Sequence, residues 1–125
     1  MIPRQNRLKH MKDFAILSKE GRFVNGNLVN AKVWKIDPDK YEKRNYSTDD
    51  LKIGFVVGKK VHKSAVKRNL YKRKVREAVR LLLKDNKLAS GFMLYIVAKP
   101  LILGKKYDEI AADVEKLLKK ARILS

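Results

Sequence analysis

The chain has 125 residues, 45% of them hydrophobic, and a formal charge of +18 from 31 Lys and Arg against 13 Asp and Glu. That length and apolar content suit one domain, residues 1–125, with a core of its own, and the lack of cysteine excludes a disulfide framework, thiolate zinc sites and thiol nucleophiles. So strong a positive field draws polyanions, while no apolar run approaches the roughly 18 residues of a membrane span and no apolar stretch follows the basic N-terminus as in a signal peptide. The expectation is a cytoplasmic protein with a nucleic-acid partner and no membrane.

Asp13, Phe14, Ile16 and Leu17, closed by Gly21, read as a short first helix with an acidic start and a glycine stop. From Leu28 to Ile36 the chain alternates: Val29, Ala31 and Val33 share one face and Asn30, Lys32 and Trp34 the other, as in a strand covered on one side. Residues 37–50 hold Asp-Pro-Asp and Ser-Thr-Asp-Asp and read as a mobile, turn-rich connector. Leu51 to Val57 is β-rich and stops at Gly58.

Between Lys59 and Arg80 stand ten Lys and Arg against one acid, Glu77, which is half of the chain's net charge. At 100° per residue, Tyr71, Val75, Ala78, Val79 and Leu82 fall on one side of a helix and Asn69, Lys72, Arg73, Arg76 and Arg80 on the other. A merely solvated helix mixes its signs, because like charges at i,i+4 cost a few tenths of a kcal/mol per pair. The uncorrected repulsion points to a polyanion that corrects it. Lys59, Lys60 and Lys63 extend the basic stretch ahead of the helix, although alone they would make an ordinary solvated connector.

Phe92 to Ala98 is the most continuous apolar run and reads as a strand buried on both faces, ended by Pro100. Tyr107, Ile110, Ala111, Val114, Leu117, Leu118 and Ala121 then recur at helical spacing, and Lys119, Lys120 and Arg122 suit a helix C-terminus. Helices alternating with strands in this order make an α+β fold with helices packed on a mixed sheet.

Nothing in the chain reads as a catalyst. A protein nuclease needs a general base and acid or a carboxylate metal cluster, whereas His10 and His62 sit among lysines and Asp37, Asp39, Asp49 and Asp50 fall in the turn-rich connector.

Ala65-Val66-Lys67-Arg68-Asn69-Leu70-Tyr71-Lys72-Arg73-Lys74-Val75-Arg76-Glu77 resembles the signature of the bacterial ribonuclease P protein subunit, in which Arg-Asn-Arg is followed by Lys-Arg, two variable positions and Arg-Glu. Asn6-Arg7-Leu8 with Asp13-Phe14 and Gly21, Ile53 to Val57 with Lys59-Lys60, and Gly91 to Ala98 resemble further blocks of that family in the same order. The resemblance implies a two-layer fold with a four-stranded mixed sheet, elements in the order α-β-β-β-α-β-α, and a left-handed βαβ crossover between residues 51 and 98, against the usual right-handed rule.

It also implies a subunit, without catalytic residues of its own, of a ribonucleoprotein endoribonuclease whose RNA removes 5′ leaders from precursor tRNA with magnesium. The resemblance carries contact with the catalytic RNA onto Arg68, Asn69, Lys72, Arg73 and Arg76, and contact with the leader onto Phe14. Charge density adds Lys59, Lys60, Lys63, Lys67 and Arg80 to the first set, and charge and the predicted strand face add Arg7, Lys32 and Trp34 to the second. Two positions depart from the pattern: Leu70 stands where a second Arg is usual, with Lys67 or Lys74 as replacement charges, and Ser18 stands where a second aromatic is usual. Simpler readings make Phe14 and Trp34 core residues and Asn69 a helix cap with Arg68 projecting from the loop before it. A ribosomal or general RNA-binding protein, or a DNA-binding regulator, are the competing classes.

Overall fold

In the computed structural model, which describes residues 2–124, the chain runs α1 (Met11–Glu20), β1 (Arg22–Val24), β2 (Val29–Lys35), β3 (Leu51–Val56), α2 (Ala65–Lys84), β4 (Phe92–Ala98) and α3 (Tyr107–Lys120). The sheet order is β1-β2-β4-β3. β2 pairs antiparallel with β1 and β4, whereas β3 lies parallel to β4, so α2 forms the crossover between two adjacent parallel strands. This is the α+β mixed four-stranded sheet that the sequence led us to expect. β1, only three residues long, carries no periodicity of its own.

The larger core lies between one face of the sheet and helices α2 and α3. Val29, Ala31 and Val33 of β2, Leu51 and Ile53 of β3, and Leu94, Ile96 and Ala98 of β4 meet Tyr71, Val75, Ala78 and Val79 of α2 and Ile110, Val114, Leu117 and Leu118 of α3. Each such aliphatic side chain contributes roughly 1.5–3 kcal/mol by leaving water. Polar ties set the helices in place: the Tyr71 hydroxyl accepts the Gly104 N–H at 2.7 Å, and Asp113 accepts the Leu28 and Val29 N–H groups at 2.8 and 3.1 Å, pinning α3 to the start of β2.

The other face of the sheet is covered only in part. α1 buries Leu17 there beside Leu8, Trp34, Ile36, Tyr46 and Met93, a second and smaller cluster. β4 is therefore not buried on both faces, as its unbroken apolar run suggested: Tyr95 and Val97 are half-exposed on the thinly covered side. The connector over residues 37–50 is likewise not a loose linker. It crosses this same side, with a short turn of helix at Glu42–Arg44, and buries Tyr46. At its far end Gly91, with φ of +86°, takes a left-handed turn in which a Cβ would come within 3.1 Å of the Thr48 carbonyl.

Candidate nucleic-acid interface

Ser64 decides where the cations of α2 point. Its Oγ accepts the Lys67 N–H at 3.4 Å, so the helix begins at Ala65 and Asn69 lies inside it, exposed, instead of capping it. Arg68 accordingly does not project from the preceding loop; its Nη1 folds back to donate to the carbonyls of His62 and Lys63 at 3.1 and 2.8 Å. That clip, with buried Val61 beneath, holds the loop that presents Lys59, Lys60 and Lys63 to solvent. The first turn of α2 contains no acid. Lys67 and Arg68 thus add to the positive end of the helix dipole, a mismatch of roughly 0.3–1 kcal/mol per charge that a bound anion relieves.

Further along, Arg73 is exposed and Lys72 and Arg76 are half-buried on the side away from the core. Arg80 differs from them. Its Nε and Nη2 donate to both oxygens of Glu77 at 2.8 and 2.6 Å, which holds the Glu77 carboxyl below the usual carboxylate range. An arginine expected to face the partner is thereby already paired. Lys74 turns the other way, with its Nζ 5.0 Å above the Tyr71 ring and 3.4 Å from the Lys105 carbonyl. Of the two cations that could compensate for Leu70, Lys67 is the one left toward solvent.

A second surface lies on the thinly covered side of the sheet. Register places Phe23, Lys32, Tyr95 and Gly54 in one row across all four strands, and directly paired residues share a face. Phe14 of α1 comes down on that row, its ring stacked on Tyr95 at 5.8 Å between centroids and 28° between planes. Gly54 makes the approach possible: a Cβ there would sit 2.9 Å from Phe14 Cζ. Phe14 is half-buried, so one part of its ring packs and another faces solvent. Lys32 donates from Nζ to the Ser18 carbonyl at 3.0 Å. Ser18 itself offers no ring, but its Oγ lies 3.2 Å from the Tyr95 hydroxyl, so an aromatic from β4 occupies the region above which a helical aromatic was expected.

Trp34 corrects the sequence reading. It is 6% exposed, with Tyr41 and Tyr46 packed edge-on against its indole at 5.8 and 5.5 Å. The connector covers the face that the strand's alternation left open, so Trp34 presents no platform for a base. Tyr95 and Phe23, the latter 60% exposed, were missed because one sits in a run that reads as core and the other in a strand too short to read.

Arg7 lies where the two surfaces meet. The N-terminal segment runs beside β3, with the Leu8 N–H on the Ile53 carbonyl at 3.1 Å and Asn6 Nδ2 on the Leu51 carbonyl at 2.7 Å. A cleft of about 280 Å³ results, lined among others by Arg7, Phe14, Gly54, Phe55, Lys72 and Arg76. It joins the aromatic row to the basic face of α2. Among the described residues no three or more His, Asp or Glu are grouped to hold a metal ion, and no helix is long and apolar enough to cross a membrane.

These features define a class, a small and strongly basic RNA-binding protein with one electrostatic and one aromatic surface. The ribonuclease P family model matches residues 2–122, and the chain belongs to that family. A ribonuclease P protein component from a Pseudanabaena species is 32% identical over 124 residues, which cover 99% of this chain and 97% of that protein. Among solved structures, the ribonuclease P protein of Staphylococcus aureus superposes with a TM-score of 0.77 at 22% identity, covering 96% of this chain and 98% of the other. That of Thermotoga maritima gives 0.74 at 24% identity, covering 95% and 98%. At those identities the two structures speak for the fold alone.

Proposed function

We propose that this chain serves, as a single domain, as the protein component of ribonuclease P, an endoribonuclease in which RNA carries out the cleavage and the protein supplies binding. The reading has Lys67, Asn69, Lys72, Arg73 and Arg76, with Lys59, Lys60 and Lys63, facing the catalytic RNA. Arg68 acts chiefly by holding the loop of those three lysines. The 5′ leader of precursor tRNA crosses the Phe14, Lys32 and Tyr95 surface, with Arg7 at the junction. The observation that carries this is the cleft lined by Phe14 and Gly54 together with Lys72 and Arg76, because it brings an aromatic ring and phosphate-binding cations to one continuous surface.

Each Lys or Arg that neutralises a phosphate releases counterions and contributes about 0.7–0.9 to the slope of log affinity against log salt. Rings under a single strand contribute roughly 1–3 kcal/mol per stacked base without regard to sequence. Magnesium bound with the RNA would supply charge stabilisation for phosphodiester hydrolysis, and no side chain of this protein is assigned to hold it. The protein lowers repulsion between catalytic RNA and precursor, and so the magnesium needed to bring them together. The proposed setting is the cytoplasm, with one protein per complex and neither membrane nor small-molecule substrate involved.

Cleavage of a 5′-extended precursor tRNA by a bacterial ribonuclease P RNA at limiting magnesium, with and without the protein, tests the reading. Stimulation that disappears in the Lys72→Ala, Arg73→Ala, Arg76→Ala triple variant is the expected result. Intact RNA binding without stimulation would return the chain to the general RNA-binding class.

A further inference from the structure

Helix α1 is too short and too exposed to hold itself against the sheet. It has ten residues, of which Asp13 and Leu17 are buried, and helices of that length are marginal in water without tertiary support. Leu17 and Phe14 pack it on the sheet, and the 37–50 connector adds polar support at two points seven residues apart on α1, or about two helical turns. At the first, Asp13, 4% exposed, accepts from the Tyr46 hydroxyl at 2.5 Å and from Arg44 Nη2 at 2.8 Å. At the second, Glu20 accepts from Lys40 Nζ at 2.6 Å and from the Tyr41 hydroxyl at 3.0 Å. Between the two ties, Tyr41 and Tyr46 cover Trp34 and touch each other edge-on at 6.5 Å.

We infer that residues 40–46 form a strap that positions the leader surface: by fastening both ends of α1, Asp13 and Glu20 with their partners fix the Phe14 ring over Tyr95 and Gly54. Asp13 is the buried charged residue among those described, and it immediately precedes Phe14. Arg44 is held there even though its Nε is buried without a hydrogen-bond partner, a cost that a purely solvent-facing connector would avoid. None of the strap's side chains lines the cleft between Phe14 and α2. They act through α1 and are positioning residues, not contacts to RNA.

The inference rests on the leader reading above, so the experiment separates the two. The holoenzyme, protein with its RNA, is assayed for affinity to precursor tRNA with a leader of roughly eight nucleotides and to leaderless tRNA. One variant carries Arg44→Met and Tyr46→Phe. A second, Lys40→Met with Tyr41→Phe, works at Glu20, whose side chain keeps 15% of its surface in solvent against 5% for Asp13, so it costs the fold less than the first, and a thermal melt of each confirms folding. Both keep the ring atoms over Trp34, whose fluorescence reports whether the cover stays in place. The expected result is that the affinity advantage of the leader falls about tenfold, the equivalent of one lost base stack, while affinity for the catalytic RNA and its salt slope are unchanged. An unaltered advantage in the second variant, where Phe14→Ala lowers it, overturns the strap. Equal losses for leader and catalytic RNA overturn it too, since the strap would then only hold the fold. If Phe14→Ala itself leaves the advantage intact, the leader reading fails and the strap's proposed role with it.

Discussion

The two surfaces that meet at Arg7 are built on opposite principles. The face of α2 is a single helix whose cations are spaced by the helix itself, and their mutual repulsion is its chemical content. The face under α1 is assembled from a helix, four strands and a connector, and its content is the relation of Phe14 to Tyr95. The first tolerates small displacements because Coulomb attraction falls off slowly with distance. The second does not, because stacking needs ring contact. Charge can be spread over a surface, whereas stacking has to be placed.

That contrast can be broken most forcefully on α2. The Lys72→Ala, Arg73→Ala, Arg76→Ala variant should lower affinity for the catalytic RNA by roughly a hundredfold or more at low salt and reduce the log–log salt slope by about two to three units. A binding series over salt checks this, and an unchanged slope in the folded variant would falsify the assignment. The advantage conferred by a leader should survive in the same variant.

On the other surface, Phe14→Ala and Tyr95→Ala should each remove roughly 1–3 kcal/mol of leader-dependent binding and leave the slope alone. A silent Tyr95→Ala would mean that its ring only supports Phe14. Gly54→Ala sharpens the point without removing any ring. Its new Cβ would lie 2.9 Å from Phe14 Cζ, so the ring must shift, and overpacking of this kind costs about 1–3 kcal/mol of stability; a thermal melt beside the leader assay shows how much of the loss is local.

The smallest expected effect is on pH. The hydrogen bond from Lys40 holds the Glu20 carboxyl below its ordinary range. A lowered folded-state pKa means that the tie's contribution is present above the unfolded pKa and lost as pH falls through the folded one. Mild acidification from neutrality should therefore leave the Trp34 emission unchanged, with a change only below the usual carboxylate range. A shift between pH 7 and 6 would contradict this.

Trp34 and Tyr95 show why one surface was legible and the other only partly so. Both lie in strands, where a residue's own neighbours reveal which face it takes but not what covers that face. Trp34 looked open because its strand alternates, yet Tyr41 and Tyr46 of the connector, seven and twelve residues downstream, cover it. Tyr95 looked buried because its strand is apolar throughout, yet α1 covers that face only in part. On α2 the same question never arose. A helix carries both of its faces in its own sequence, and only details escaped: the fold-back of Arg68, the pairing of Arg80 with Glu77, and the start of the helix at Ala65.

By itself the sequence determined the class of fold, the polyanionic partner, the core face and basic face of α2, and the family resemblance, because each depends on periodicity or charge within a short stretch of chain. Only the tertiary structure decided which aromatics face solvent, that Asp13 and Glu20 anchor the connector, and that Arg7 lies between the two surfaces. Those are contacts between residues distant in sequence, and their existence depends on packing that no local pattern encodes.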